Sequence, residues 1–213
     1  MSFVPDLSTI LQFSLATIII TLTPGPDMTL FVGRALSSGR AAGFACFAGA
    51  STGILVHTTL VALGLSALII AAPAAFLALK FAGAAYLLWL AYNAVRYGSA
   101  FSPGDAKGPE RTLFKHWATG LGINLLNPKI VIFFMTFLPQ FVSAGDPNAS
   151  GKLFFLGLLF IVIAVPMTIP MILAAESFSG LLKKSPKITR IIDYLFAGIF
   201  SAFAVKILLT HAK

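Results

Sequence analysis

Apolar residues run along this chain in stretches of about twenty or more, separated by short polar connections. Neither the period-two alternation of half-buried strands nor the narrow stripe of a surface helix describes them. Six stretches stand out, at about 7–32, 41–70, 73–96, 113–138, 152–176 and 188–210. Between them lie turn-forming groups such as Ser37-Ser38-Gly39-Arg40, Pro73, Ser102-Pro103-Gly104-Asp105, Gly145-Asp146-Pro147-Asn148 and Lys183-Lys184-Ser185-Pro186. In hydrocarbon a helix satisfies its own backbone, so stretches of this length predict membrane-crossing helices. The expected fold is an all-α integral membrane protein with about six transmembrane helices, one domain over residues 1–213.

Composition supports this pattern: 58% of the residues are hydrophobic, 10% are charged, and the mean hydropathy is +0.93. A net charge of +8 raises the question of nucleic acid, but the fifteen Lys and Arg residues form no basic face on a soluble module. They mark orientation instead. Arg34, Arg40, Arg96, Lys107, Arg111, Lys115, Lys183, Lys184, Lys187 and Arg190 fall on one side, and Lys80, Lys152, Lys206 and Lys213 on the other. The positive-inside rule then places both termini outside. Met1 to Thr9 carries Asp6 and no basic residue, unlike a secretory signal peptide, so the first span is expected to stay in the protein.

Two spans contain polar, proline-broken points: Thr23-Pro24-Gly25-Pro26-Asp27 in the first and Asn127-Pro128-Lys129 in the fourth. A charge at membrane depth costs about 3 kcal/mol or more, and a proline removes a helix hydrogen bond, so both belong between helices rather than in lipid. The carbonyls of Ile20 and Leu22, four residues before each proline, should lose their partners. Two readings are open for Asp27: a binding group for a cation, ammonium or proton beside the opened backbone, or a residue reaching the interface past a kink. Lys129 needs a partner, which is Asp27, a substrate carboxylate or a structural counter-ion. Asn124, one turn before Pro128, adds an amide to that face.

Other candidates compete with plainer roles. Pro166 and Pro170 predict a bend in the fifth span, and Glu176 at its end is either a second titrating carboxylate or an interfacial partner of Lys183 and Lys184. Gly49 and Gly53 give the second span a small-residue face for close helix packing, within the chain or in a homodimer. Ser51 and Thr52 on that span are candidates to line a solute path. His57, one turn beyond Gly53, is either a proton relay or a histidine bonded to a neighbouring helix. Tyr86, Trp89, Tyr92, Tyr97 and Trp117 read as an interfacial aromatic belt. Cys46 is the lone cysteine, so no intrachain disulfide or cysteine metal cluster is expected, and no cofactor or enzyme signature is present.

The halves share a faint likeness: Leu22-Thr23-Pro24 can be laid on Leu126-Asn127-Pro128, about half the chain apart. With three spans per half the second would be inverted, the arrangement of many transporters whose broken helices meet near the midplane.

Thr23-Pro24-Gly25-Pro26-Asp27-Met28, together with Gly120 and Asn124-Leu125-Leu126-Asn127-Pro128-Lys129 followed by aromatic residues, resembles the LysE/RhtB family of amino-acid exporters over essentially the entire chain. The resemblance implies export of amino acids or close derivatives by proton antiport across a bacterial inner membrane. It implies a translocation site at Thr23, Pro24, Gly25, Pro26, Asp27, Asn127, Pro128 and Lys129, to which the residues themselves add Asn124. Asp27, Glu176 and His57 are the candidates for proton coupling. The expected partners are the substrate, protons and lipid. The competing expectation, an inorganic cation transporter or channel, is weakened by the scarcity of carboxylates within the spans.

Overall fold

The computed structural model describes residues 3–65, 112–143, 146–177 and 186–210, with helical residues scattered between 81 and 97. Helix α1 spans Leu7–Leu22. Asp6 caps it, accepting the Thr9 amide at 2.9 Å and the Thr9 hydroxyl at 2.8 Å, and these bonds hold its exposed carboxyl below the usual range. The helix stops at Thr23, whose amide and hydroxyl both donate to the Ile19 carbonyl at 2.9 and 2.7 Å. Pro24 cannot extend the ladder, and Gly25 continues in extended backbone. Helix α2, Pro26–Ser38, then starts with a proline at its first position, where a missing N–H is harmless. The two helices meet at 51°.

Gly39, at a φ of +89° that favours glycine, turns the chain into α3, Arg40–Leu60, which a π-helical turn prolongs over Val61–Leu65. Helix α4, Leu113–Leu126, is capped by Thr112 and ends at extended Asn127. The Asn127 side chain accepts the Lys129 amide at 3.1 Å and so caps α5, Pro128–Ile132, again with proline in the first position. A π-helical turn at Phe133–Phe137 and a 3-10 turn at Leu138–Phe141 prolong α5. The bend between α4 and this continuation is 54°. Helices α6, Ala149–Leu173, and α7, Pro186–Thr210, complete the described chain.

Among the described residues there is no strand. Two helical stretches, Arg40–Gly64 and Ala149–Leu173, are long and apolar enough to cross a membrane, and there are up to four spans if each bent pair is one. Leu11, Leu60, Leu126 and Val162 stand exposed on the outer surface, as lipid-facing residues do and core residues of a soluble protein do not. The fold is therefore an all-α membrane architecture. The predicted third span, 73–96, and the connection after it fall mostly outside the described residues.

The fifth span stays helical through its prolines: α6 passes Pro166 and Pro170 as one helix and ends only at Ala174, whose amide still reaches the Pro170 carbonyl at 2.9 Å. A helix tolerates the lost bonds where neighbouring helices cover it.

Packing divides into two cores. Phe13, Ile20, Phe133, Phe134, Phe137, Leu153, Leu156 and Phe160 join α1, α5 and the first half of α6. Met28, Phe31, Val32, Cys46, Ala50, Met171 and Ile172 join α2, the start of α3 and the end of α6. Helices α3 and α4 hold the two together by a seam of glycines. A Cβ on Gly49 would collide with the Trp117 carbonyl, and one on Gly120 with the Cys46 carbonyl. The small-residue face predicted on the second span is thus spent inside the chain, which removes it as a dimerisation surface. Trp117 also packs at this seam, its indole N–H donating to the Thr52 hydroxyl at 3.2 Å. Trp89, Tyr92 and Tyr97 are exposed; Tyr86 lies outside the described residues.

Candidate functional site

Both broken spans open onto one cleft between the two cores. Ile20, Ile54, Ile130 and Phe160 of the first core form one wall, and Met28, Phe31, Val32, Ala50 and Met171 of the second form the other. Polar groups enter this apolar space at few points: Thr21, Thr23, Asp27, Ser51, Asn124, Lys129 and Thr168. An apolar cleft with a small set of placed polar groups is the usual form of a small-molecule site.

Asp27 stands in the first turn of α2, and its Oδ2 accepts the Asn124 side-chain amide at 2.9 Å. Asn124 can reach it because Gly53 on α3 leaves the room: a Cβ there would meet the Asn124 side chain. Asp27 Oδ1 and Asn124 Oδ1 are buried and have no hydrogen-bond partner among the described residues. Two unpartnered acceptors on residues that line the cleft suit a donor-rich group such as an ammonium.

Lys129 stands in the first turn of α5, and its Nζ donates to the carbonyls of Thr23 at 2.8 Å and Ile20 at 3.1 Å. These are carbonyls left free at the end of α1, where the helix dipole is negative. The expected loss of the Ile20 partner is thus made good by a side chain, while the second carbonyl is that of Thr23 rather than Leu22. The anticipated contact ion pair with Asp27 is not formed. Lys129 binds backbone, Asp27 binds Asn124, and the two charges act on each other only through space. Gly25 completes the fit, since a Cβ there would stand 3.1 Å from the Lys129 Nζ and 3.4 Å from its Cε.

The remaining candidates separate. His57 is buried with Nε2 3.5 Å from the Asn124 main-chain oxygen, and it interacts electrostatically with Asp27. It therefore sits behind the cleft rather than in it. Glu176 is exposed past the end of α6 and outside the cleft; Lys183 and Lys184 lie beyond the described residues. Pro24, Pro26 and Pro128 shape the two junctions, and Asn127 caps α5 with a buried amide nitrogen that has no partner among the described residues. Sequence reasoning missed the apolar lining, above all Phe31, Phe47, Phe160 and Met171, which nothing distinguishes from lipid-facing residues before the helices are placed. Thr168 of α6, between the two prolines, adds a hydroxyl to that lining.

A cleft at two interrupted membrane helices that holds one carboxylate and one ammonium resembles the polar-solute sites that membrane transporters build. The chain belongs to the LysE type translocator family, whose model matches residues 18–211. It is 28% identical over 190 residues to a homoserine/homoserine lactone efflux protein of Salmonella typhimurium, covering 88% of this chain and 90% of the relative. It is 26% identical over 201 residues to a leucine efflux protein of Klebsiella pneumoniae, covering 92% and 93%. An uncharacterized membrane protein of Bacillus subtilis, YrhP, is 28% identical over 195 residues, covering 88% and 92%. No solved structure matches the chain significantly.

Proposed function

We propose that this protein is a secondary transporter that exports amino acids or close derivatives across a bacterial inner membrane, with the cleft between its two cores as the substrate site. The observation that carries this reading is the meeting of both broken spans at one cleft holding Asp27, Asn124 and Lys129. The substrate ammonium binds at the Asp27 carboxylate, which lines the cleft. Its carboxylate takes the third N–H of the Lys129 ammonium, two being held by carbonyls. Its side chain lies against Phe31, Phe47, Ile54 and Phe160.

This arrangement favours neutral amino acids. Among the described residues Asp27 is the one carboxylate lining the cleft, and the α-ammonium uses it, so a basic side chain would be buried without a counter-charge. Relatives named for efflux of leucine and of homoserine or its lactone support the same class. Six spans in two inverted halves fit the near-equal bends of 51° and 54° at matching points. Transport proceeds by rocking of the two cores about the cleft, and a proton taken up by Asp27 from outside frees the ammonium, with His57 behind Asn124 as a secondary proton site.

Counterflow in proteoliposomes tests the reading. Leucine and homoserine should exchange, lysine and divalent metal ions should not, and an imposed proton gradient should drive accumulation. Asp27→Asn should abolish the gradient-driven part in a folded protein. Exchange of metal ions without amino acids would replace this reading with an inorganic cation transporter.

A further inference from the structure

The end of α1 is built as a cation site. Two carbonyls of an interrupted membrane helix, Ile20 and Thr23, point at one position on its negative end, and Gly25 keeps that position clear of any side chain. Interrupted helices in transporters use such carbonyls to hold a coupling ion. Here the position is filled from within the chain, by the Lys129 ammonium arriving from the other broken span.

We propose that Lys129 is a tethered cation that occupies a monovalent-cation site at the break in the first span, so that the transporter needs no inorganic cation there and ties its two broken spans together through that charge. A contact pair with Asp27 would make Lys129 only a counter-ion, but two of its three N–H groups go to backbone, and Asp27 bonds Asn124 instead. The ammonium satisfies the break as sodium or a free alkylammonium would. Being covalently attached, it does so without exchange with solution.

The inference gives a role within the transport reading, but its test is independent of any substrate. In the purified parent chain, replacing sodium and potassium by choline should leave the melting temperature unchanged. Lys129→Ala removes the tether and opens the site, so the variant should melt lower and become cation-dependent. Propylammonium, which restores the missing atoms, should raise its melting temperature by several degrees and saturably, while leaving the parent unaffected. Propanol, with the shape but not the charge, should do little. Equal stabilisation by propanol and propylammonium, or no response to any cation, would overturn the proposal. If Lys129→Ala does not fold, the parent alone decides: a requirement for sodium or potassium, in melting or in export, refutes a resident cation, and indifference to both supports it. Failure of amino-acid export with the cation responses intact would count against the transport reading and not against this site.

Discussion

Asn124 donates its side-chain amide to Asp27 across 97 residues of sequence, at 2.9 Å, and presents its main-chain carbonyl to His57 on the other side. It is the joint through which α2, α3 and α4 share one polar cluster. A buried hydrogen bond to a charged group is worth about 1.5–3 kcal/mol, so Asn124→Leu should reduce amino-acid exchange by about 10- to 100-fold. Asn124→Asp should reduce it at least as far, because two carboxylates would then share the site. Counterflow rates at equal protein content check both.

Gly25→Ala places a Cβ 3.1 Å from the Lys129 ammonium, which must give way or leave the carbonyls. The backbone there is extended, so the cost is crowding rather than strain. A loss of about 1–3 kcal/mol in melting experiments is expected. The loss should shrink in a Lys129→Met background, where nothing charged is displaced. Additive losses in the double variant would show that Gly25 and Lys129 act independently.

The glycine seam makes a paired prediction. Gly120→Ala drives a methyl into the Cys46 carbonyl and should destabilise by about 1–3 kcal/mol or more. Gly122→Ala, two residues on with nothing within 4 Å, should be neutral or stabilising by up to about 1 kcal/mol. Thermal melting in detergent distinguishes them directly.

Phe31 and Phe47 meet edge to face at 5.6 Å and both line the cleft. Cutting either to alanine widens the side-chain pocket. Discrimination between leucine and larger amino acids such as phenylalanine should shift toward the larger by about 10-fold or more, as measured by competition in counterflow.

Outside the spans, Asp146 accepts the Lys152 ammonium at 2.6 Å and the Asn148 amide at 2.8 Å, which together hold its carboxyl below the usual range. Its charged form is favoured by folding, so this stabilisation is complete above the ordinary carboxylate pKa of about 3.9 and fades as pH falls through the lower folded value. Asp146→Asn should cost up to about 1 kcal/mol at neutral pH and nothing once the parent carboxyl is protonated. Melting curves across acid pH check the sign.

The breaks were legible because their cause is local: Thr-Pro-Gly-Pro-Asp and Asn-Pro-Lys each place a helix stop, a cap and a first-position proline in consecutive residues. That they meet was suggested only by the cost of Asp27 and Lys129 in lipid. What each charge touches was not legible. Lys129 finds main-chain carbonyls, which no side-chain pattern announces, and Asp27 finds an asparagine whose approach depends on Gly53 of a third helix. The small-residue face of the second span was read correctly as a close-packing surface, but a sequence does not reveal which surface receives it.

Where α3 crosses α4, glycine backbones rest directly on opposing carbonyls. Side chains elsewhere in the protein can change rotamer to follow a motion, but here backbone meets backbone, and sliding by even part of a turn would bring larger residues into collision. The pair is therefore the rigid reference of the fold. Displacements of α1, α5 and α6 during a transport cycle are best measured against it.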